Sequence, residues 1–349
     1  MAGADHVYTP TELKERALEL KCDETVIEGL VPKQQLSLVV GESGLGKSPL
    51  LYQAAICVAA GVPFLERPVR QGRVLWMDCE NGLGQVDGML DKISKFLGLP
   101  QAPADLLLWN LNDAGEDFGA PGHQFEDIVR RHDPDWVLID TLKTMFVGVE
   151  SKNETAAECY RFLRKLMSEV QCSITGVHHP RKKGELRELE SLETTSDPRG
   201  WFDEASGAKS LITNCDVRLG IDKPVSRNSD LAIRGFERVT GEIPLILVSR
   251  VLDEQSESPV GYRLVTGADA VTNPEHRRLW DVLPPEFRFK DAKEAYGKGD
   301  QATLNALNKL MSAGILRKRE DGRYEKTVEL NLPPLASEFD GINLNRLVA

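Results

Sequence analysis

Eight residues, Gly41-Glu42-Ser43-Gly44-Leu45-Gly46-Lys47-Ser48, set three glycines, a lysine and a hydroxyl at the spacing of a phosphate-binding loop. Glycines let the backbone adopt conformations that other residues disfavour, so its N–H groups can curl around a phosphate. A helix opening at the end of the loop points its positive end at the same place. Lys47 then neutralises the β and γ phosphates, and Ser48 offers one oxygen to a magnesium ion bridging them. The nucleotide-holding set is Gly41, Glu42, Ser43, Gly44, Leu45, Gly46, Lys47, Ser48 and Pro49, with ATP and Mg2+ as the ligands implied. A glycine-rich turn without a ligand is the plain alternative, and it does not account for the matched positions and their surroundings. Pro49 fits the first helical turn, where its missing N–H costs little.

Further polar residues stand at the ends of apolar runs. Asp140 closes Trp136-Val137-Leu138-Ile139, where an ATP-hydrolysing site needs a carboxylate for the magnesium shell. Glu80 closes Val74 to Cys79 and is expected beside the phosphate-loop strand, facing the γ phosphate as the base that orients water. Asp78, two residues earlier on the same side, is the fallback base. His178 and His179 end another run, where an imidazole N–H could sense the γ phosphate and report its loss to the following loop. That loop carries Arg181, Lys182 and Lys183, readable either as a solvated charge run or as contacts to a nucleic-acid backbone.

The elements that must position these residues follow from periodicity. Leu36 to Val40 reads as a strand before the loop, and Leu50, Leu51, Ala54, Ala55 and Val58 as a helix after it. Strands are expected at 73–80, 106–111, 135–140 and 172–179, with helices at 85–97, 124–131 and 154–170 between them. Such alternation predicts a parallel sheet covered on both faces, with ligands at the carboxyl ends of the strands. Residues 180–205 read as a long polar loop. Strands at 216–221, 231–236, 245–251 and 262–265 then extend the sheet in antiparallel fashion. Past Thr272-Asn273-Pro274, helices at 275–282, 289–296 and 301–312 and a hairpin turning at Asp321-Gly322 suggest a winged helix.

The fold class is therefore α/β, with a mainly parallel core sheet, an antiparallel extension and a small C-terminal winged-helix-like domain. The expected division is an N-terminal arm at 1–34, a nucleotide domain at 35–270, a winged-helix-like domain at 271–331 and a tail at 332–349. The helix-start signature at Thr9-Pro10-Thr11-Glu12 gives the arm a short helix that either caps its own domain or packs on a neighbour.

With 349 residues, 41% hydrophobic and 28% charged content, the chain has the composition of a soluble protein with a sizeable core. No apolar run suits a membrane span and no secretory signal opens the chain, so a cytoplasmic location is expected. The six cysteines are scattered without C-x-x-C pairing and read as reduced core residues. A net charge of −11 excludes a protein that coats nucleic acid with its whole surface and leaves only a local basic patch for that role.

From Val26 to Val251 the chain resembles the RecA-fold P-loop ATPases of the RepA type, hexameric replicative helicases within the AAA ATPase superfamily. The likeness rests on Glu28-Gly29-Leu30, Gly41 to Ser48, Gly61-Val62-Pro63-Phe64, Val74 to Glu80, Val137 to Asp140, Val177-His178-His179, and Ser206-Gly207 with Asn214. The resemblance implies a homo-oligomeric, hexameric ring with nucleotide between subunits, Glu80 and Lys47 in catalysis, His179 as phosphate sensor, and the following loop facing single-stranded DNA in the channel. It also implies an arginine finger in trans, for which Arg218 is the candidate, with Lys209 and Arg234 still open. The function expected is an ATP-hydrolysing motor on single-stranded DNA that unwinds a duplex. The alternative is a RecA-fold ATPase acting as a DNA-associated switch, loader or regulator without unwinding. A small-molecule kinase is disfavoured, because Glu80 and the histidine motif serve water activation and no acceptor pocket is evident.

If the loop after His179 meets DNA, replacing Arg181, Lys182 and Lys183 together weakens single-stranded DNA binding and flattens its salt dependence in fluorescence titrations. Unchanged binding moves the DNA site elsewhere.

Overall fold

The computed structural model describes residues 7–20, 24–110, 123–180, 190–205, 209–225, 229–253, 258–265, 273–312, 315–319 and 321–326. The strands are β1 (Thr25–Ile27), β2 (Val31–Pro32), β3 (Leu36–Val40), β4 (Val74–Asp78), β5 (Leu106–Asn110), β6 (Trp136–Asp140) and β7 (Ser173–His178). They continue as β8 (Val217–Asp222), β9 (Leu231–Glu237), β10 (Gly241–Leu252), β11 (Pro259–Leu264), β12 (Glu286–Phe287), β13 (Leu316–Lys318) and β14 (Tyr324–Lys326).

Nine strands form one mixed sheet in the order β11-β10-β9-β8-β3-β7-β6-β4-β5. The pairings from β8 through β5 are all parallel, and β9, β10 and β11 add antiparallel pairs at one side. This is an α/β fold with a mostly parallel sheet, as the alternation of elements predicts. Apolar strand residues divide by parity, as side chains on a pleated strand must. Val39, Val74, Trp76, Trp136, Leu138 and Val177 pack toward the helices Lys47–Ala60 and Leu83–Phe96. Leu36, Leu38, Val40, Leu75, Val137 and Ile139 pack toward His123–His132, Asn153–Val170 and Pro198–Ala205. Burial on this scale is the main stabilising term, about 1.5–3 kcal/mol for each fully buried large apolar side chain. Tyr52 stacks on Trp76 with ring centroids 3.9 Å apart and so ties the phosphate-loop helix to the middle of β4.

Several expectations need correction. Strand β4 is not the neighbour of β3: β7 and β6 lie between them. Glu80 therefore does not start beside the phosphate-loop strand. The span assigned to an arm contains the β1–β2 hairpin, and Val26, Ile27, Leu30 and Val31 belong to the main core. The polar stretch 180–205 contains the helix Pro198–Ala205, whose Trp201 and Phe202 are buried against the sheet. The strand expected at 245–251 begins earlier, at Gly241, and hairpins directly onto β9.

At the C-terminal end, the helices Pro274–Val282, Phe289–Tyr296 and Asp300–Ser312 pack with the sheet β12-β14-β13 around a separate core of Leu279, Leu283, Phe287, Leu307, Leu310, Ile315 and Tyr324. Strand β12 adds a third strand to the hairpin of β13 and β14. Asn273 caps its first helix, its side chain accepting from the Glu275 and His276 amides, with Pro274 in the first turn. Thr272 and the stretch expected as a tail lie outside the described residues. Among the described residues no helix is long and apolar enough to cross a membrane.

Gly235 on β9 pairs with Leu219 on β8, and a Cβ there would overlap the backbone carbonyl of Arg218. Backbone cannot swing aside as a side-chain tip can. Gly235→Ala is expected to destabilise the fold by about 1–3 kcal/mol in urea denaturation, whereas an unshifted midpoint contradicts this packing.

Candidate nucleotide site

After Val40 the chain turns through Gly41 to Gly46 and enters the helix at Lys47. Gly44 and Gly46 have φ of 81° and 95°, a region in which a side chain strains the backbone. At Gly41 the constraint is space: a Cβ would lie 2.5 Å from the carbonyl oxygen of Ile221 on β8. The glycine spacing in the sequence is thus required by the shape of the turn itself.

Lys47 is only 4% exposed. Its Nζ donates to the carbonyl of Glu42 at 2.6 Å and contacts His179 Nδ1 at 3.1 Å. Burial pulls the ammonium below the usual lysine range, with Asp140, Glu80 and Glu42 opposing that shift. An ammonium can only donate, so the shorter contact makes His179 Nδ1 the acceptor and puts the ring proton on Nε2; the 3.4 Å approach of Nδ1 to the Gly41 carbonyl is then no hydrogen bond. Nε2 lies 3.4 Å from Glu80 Oε1. Thr141 Oγ1 stands 3.5 Å from that same oxygen and 3.2 Å from Thr144 Oγ1. A continuous polar chain therefore runs from Lys47 through His179 to Glu80.

Glu80 gets there from a distant strand because its loop is bent and anchored. The backbone N–H groups of Glu80 and Asn81 both donate to Asp78 Oδ1, at 3.0 and 2.8 Å. The Asn81 amide and the Tyr52 hydroxyl occupy Asp78 further, the latter at 2.7 Å to Oδ2. Asn110 Nδ2 donates to the Asn81 carbonyl at 2.7 Å. Asp78 is 1% exposed, so the fallback base is a buried anchor for the Glu80 loop. The Glu80 side chain stays 40% exposed, open to water.

Asp140, at the carboxyl end of β6, accepts from Ser48 Oγ at 2.7 Å through Oδ2. Its other oxygen, Oδ1, is buried without a hydrogen-bond partner among the described residues. An orphaned carboxylate oxygen beside a hydroxyl is a hard-donor set that fits magnesium, and Ser48 and Asp140 would hold the ion. Burial pushes the Asp140 carboxyl up to about 6; the Ser48 hydrogen bond works against the shift, and the nearby charges of Glu80 and Asp78 add to it.

His178 is 1% exposed, with neither ring nitrogen hydrogen-bonded among the described residues and Glu150 Oε1 at 3.9 Å, and burial lowers its pKa to about 4. Its carboxylate contact is with Glu150, and His179 is the member of the pair that contacts Lys47. Arg218 lies mid-strand on β8, opposite Leu38 and Phe236, its half-buried side chain beside Cys215 and Tyr160. Arg234 bonds Glu242 and the carbonyls of Leu192 and Thr195. Lys209 opens the helix Lys209–Thr213, with its side chain outside the described atoms. Arg181, Lys182 and Lys183 lie outside the described residues.

Sequence reasoning missed Thr141, Asn81, Tyr52, Arg250 and Tyr262. Asn81 follows Glu80 directly and Thr141 follows Asp140, so adjacency was a usable signal for both. Arg250 Nη2 donates to the Leu45 carbonyl at 2.7 Å across 205 residues of sequence, and no local pattern announces it.

A family model described as an AAA domain matches residues 8–185, just over half of the chain. The DNA repair protein RadA of Synechocystis sp. is 24% identical over 236 residues, covering 65% of this chain and 45% of that protein. The chain thus spans less than half the length of this curated relative. Among solved structures, a KaiC-like protein from the hyperthermophilic archaeon Pyrococcus horikoshii OT3 aligns over 69% of this chain and 93% of its own, at 11% identity and a TM-score of 0.44.

Raising the Asp140 pKa from 3.8 to about 6 means that the folded state favours the protonated form. The ionised carboxylate therefore costs stability, a penalty that builds between about pH 4 and pH 6 and is complete above. Asp140→Asn is expected to raise the melting temperature of the ligand-free protein near pH 7.5, the gain shrinking below about pH 6 and vanishing near pH 4. A gain independent of pH, or a loss at neutral pH, contradicts that environment.

Proposed function

The chain belongs to the AAA domain family, and on that premise we propose that it is an ATP-hydrolysing RecA-fold motor that works as a homo-oligomeric ring on single-stranded DNA. The observation that carries this reading is the contact chain Lys47–His179–Glu80, which links a phosphate grip, a sensor and a water-facing carboxylate.

The triphosphate takes the place of the Glu42 carbonyl at Lys47 Nζ, exchanging a neutral partner for an anionic one, which binds a buried ammonium more strongly. Ser48 and Asp140 would hold a magnesium ion, which would supply positive charge against the phosphates. Glu80, fixed by the Asp78 anchor and exposed on its free side, accepts a proton from the attacking water. The Nε2 proton of His179 is shared between Glu80 and the γ phosphate, so loss of that phosphate changes how Glu80 is held. A cation from a neighbouring subunit completes charge neutralisation; Arg218 can serve only by leaving the Cys215 and Tyr160 side chains it lies beside in its own subunit, and Arg181, Lys182 and Lys183 meet the DNA backbone. The name of the relative, a DNA repair protein, supports a DNA-associated role.

A second reading, a DNA-associated switch or loader without unwinding, is favoured by the net charge of −11, which opposes a strongly gripping DNA channel.

ATP turnover with and without single-stranded DNA, alongside particle mass by light scattering, separates the two. A motor gives DNA-stimulated turnover and a ring; slow turnover indifferent to DNA supports the switch. Glu80→Gln is expected to keep ATP binding and lose turnover by about 100-fold or more. Undiminished turnover removes Glu80 from the mechanism.

A further inference from the structure

The phosphate loop is held from outside as well as from within. Arg250 on β10 donates from Nη2 to the Leu45 carbonyl at 2.7 Å, and Tyr262 on β11 donates from its hydroxyl to the Gly46 carbonyl at 3.0 Å. Neither contact is needed to attach the β10–β11 hairpin. That is done by the pairing of β10 with β9 and by Gln53 on the phosphate-loop helix, whose side-chain amide donates to the Tyr262 carbonyl at 2.9 Å and accepts from the Tyr262 amide at 2.7 Å. Nor is Tyr262 needed to start the helix, since the Gly46 carbonyl already accepts from Leu50 N–H at 3.3 Å.

The peptide unit is planar, with its C=O and N–H directed to opposite sides. A donor that pins the Leu45 carbonyl therefore also fixes the direction of the Gly46 N–H, and one that pins the Gly46 carbonyl fixes the Lys47 N–H. These two N–H groups stand at the start of the helix, where backbone donors have no partner within the helix and are free to meet an anion. Gly46 is shaped to this contact: a Cβ there would lie 2.6 Å from the Tyr262 hydroxyl oxygen and 3.3 Å from Arg250 Nη2. Only glycine admits both donors to the back of the loop.

We propose that Arg250 and Tyr262 are positioning residues for the phosphate cradle, aiming the Gly46 and Lys47 N–H groups at the β phosphate of a bound nucleotide. The inference rests on the nucleotide reading above and adds that the antiparallel part of the sheet sets the affinity of the phosphate loop. Burial pushes the Tyr262 phenol up, so its hydroxyl remains a donor throughout the neutral range.

The test titrates a fluorescent ADP and a fluorescent ATP analogue against wild type, Tyr262→Phe, Arg250→Gln and Arg250→Lys, with steady-state kinetics and a thermal melt for each. Losing one aligned donor is expected to weaken ADP and ATP alike by about five- to tenfold in Tyr262→Phe, because both carry the β phosphate. KM for ATP rises by a similar factor and kcat falls less. Arg250→Gln behaves in the same way, and Arg250→Lys recovers part of the loss. The proposal is overturned if the variants bind both nucleotides as wild type does, or if lost binding only tracks a lost folded fraction. Wild type that binds neither nucleotide overturns the nucleotide reading as well, whereas wild-type binding with unaffected variants overturns this inference alone.

Discussion

A lysine ammonium buried at the start of a helix must find partners, and the architecture around Lys47 follows from that requirement. In this structure it holds the Glu42 carbonyl and the His179 imidazole, a neutral pair for a cation whose burial already pulls its pKa down. Neutral partners satisfy its hydrogen bonds, but no anion touches it, and carboxylates reach its charge only through space, so a phosphate that contacts it directly gains the most. The carboxylates of Asp140, Glu80 and Glu42 act on it through space, and the first two answer to other partners: Ser48 for Asp140, and His179 with Thr141 for Glu80.

Holding that arrangement open takes support from three directions. From below, β3 lies between β7 and β8, so that His179 follows one neighbour and Ile221 on the other crowds Gly41. From the side, the buried Asp78 collects the Glu80 and Asn81 amides and the Tyr52 hydroxyl and bends a loop from a non-adjacent strand toward the site. From outside, Arg250 and Tyr262 hold the backs of two loop peptides. The last two supports are polar contacts made by buried or half-buried groups, so they depend on the packed sheet that excludes water from them.

What the sequence made legible was local. The glycine spacing, the lysine and hydroxyl after it, and carboxylates closing apolar runs are dictated by neighbours a few residues away, and Gly44, Gly46, Lys47, Ser48 and Asp140 sit together as that pattern implies. The alternation of strands and helices gave the layered architecture for the same reason. Strand order was not legible: buried parallel strands such as Val74–Asp78 and Trp136–Asp140 are interchangeable apolar runs, and which lies next to β3 depends on crossovers that leave no local trace. The helix Pro198–Ala205 escaped notice because it is short and its large apolar residues are the adjacent pair Trp201 and Phe202 in an otherwise polar segment. Arg250 and Tyr262 were invisible because their contacts span more than two hundred residues.

The most direct test of the account is a crystal structure with magnesium and a non-hydrolysable ATP analogue. The prediction is that Lys47 Nζ leaves the Glu42 carbonyl for phosphate oxygens, Asp140 Oδ1 gains a partner in the ion's coordination sphere, and His179 turns its ring toward the γ phosphate. An analogue bound elsewhere, or one bound at the loop while Lys47 still holds Glu42 and Asp140 Oδ1 stays bare, would contradict it.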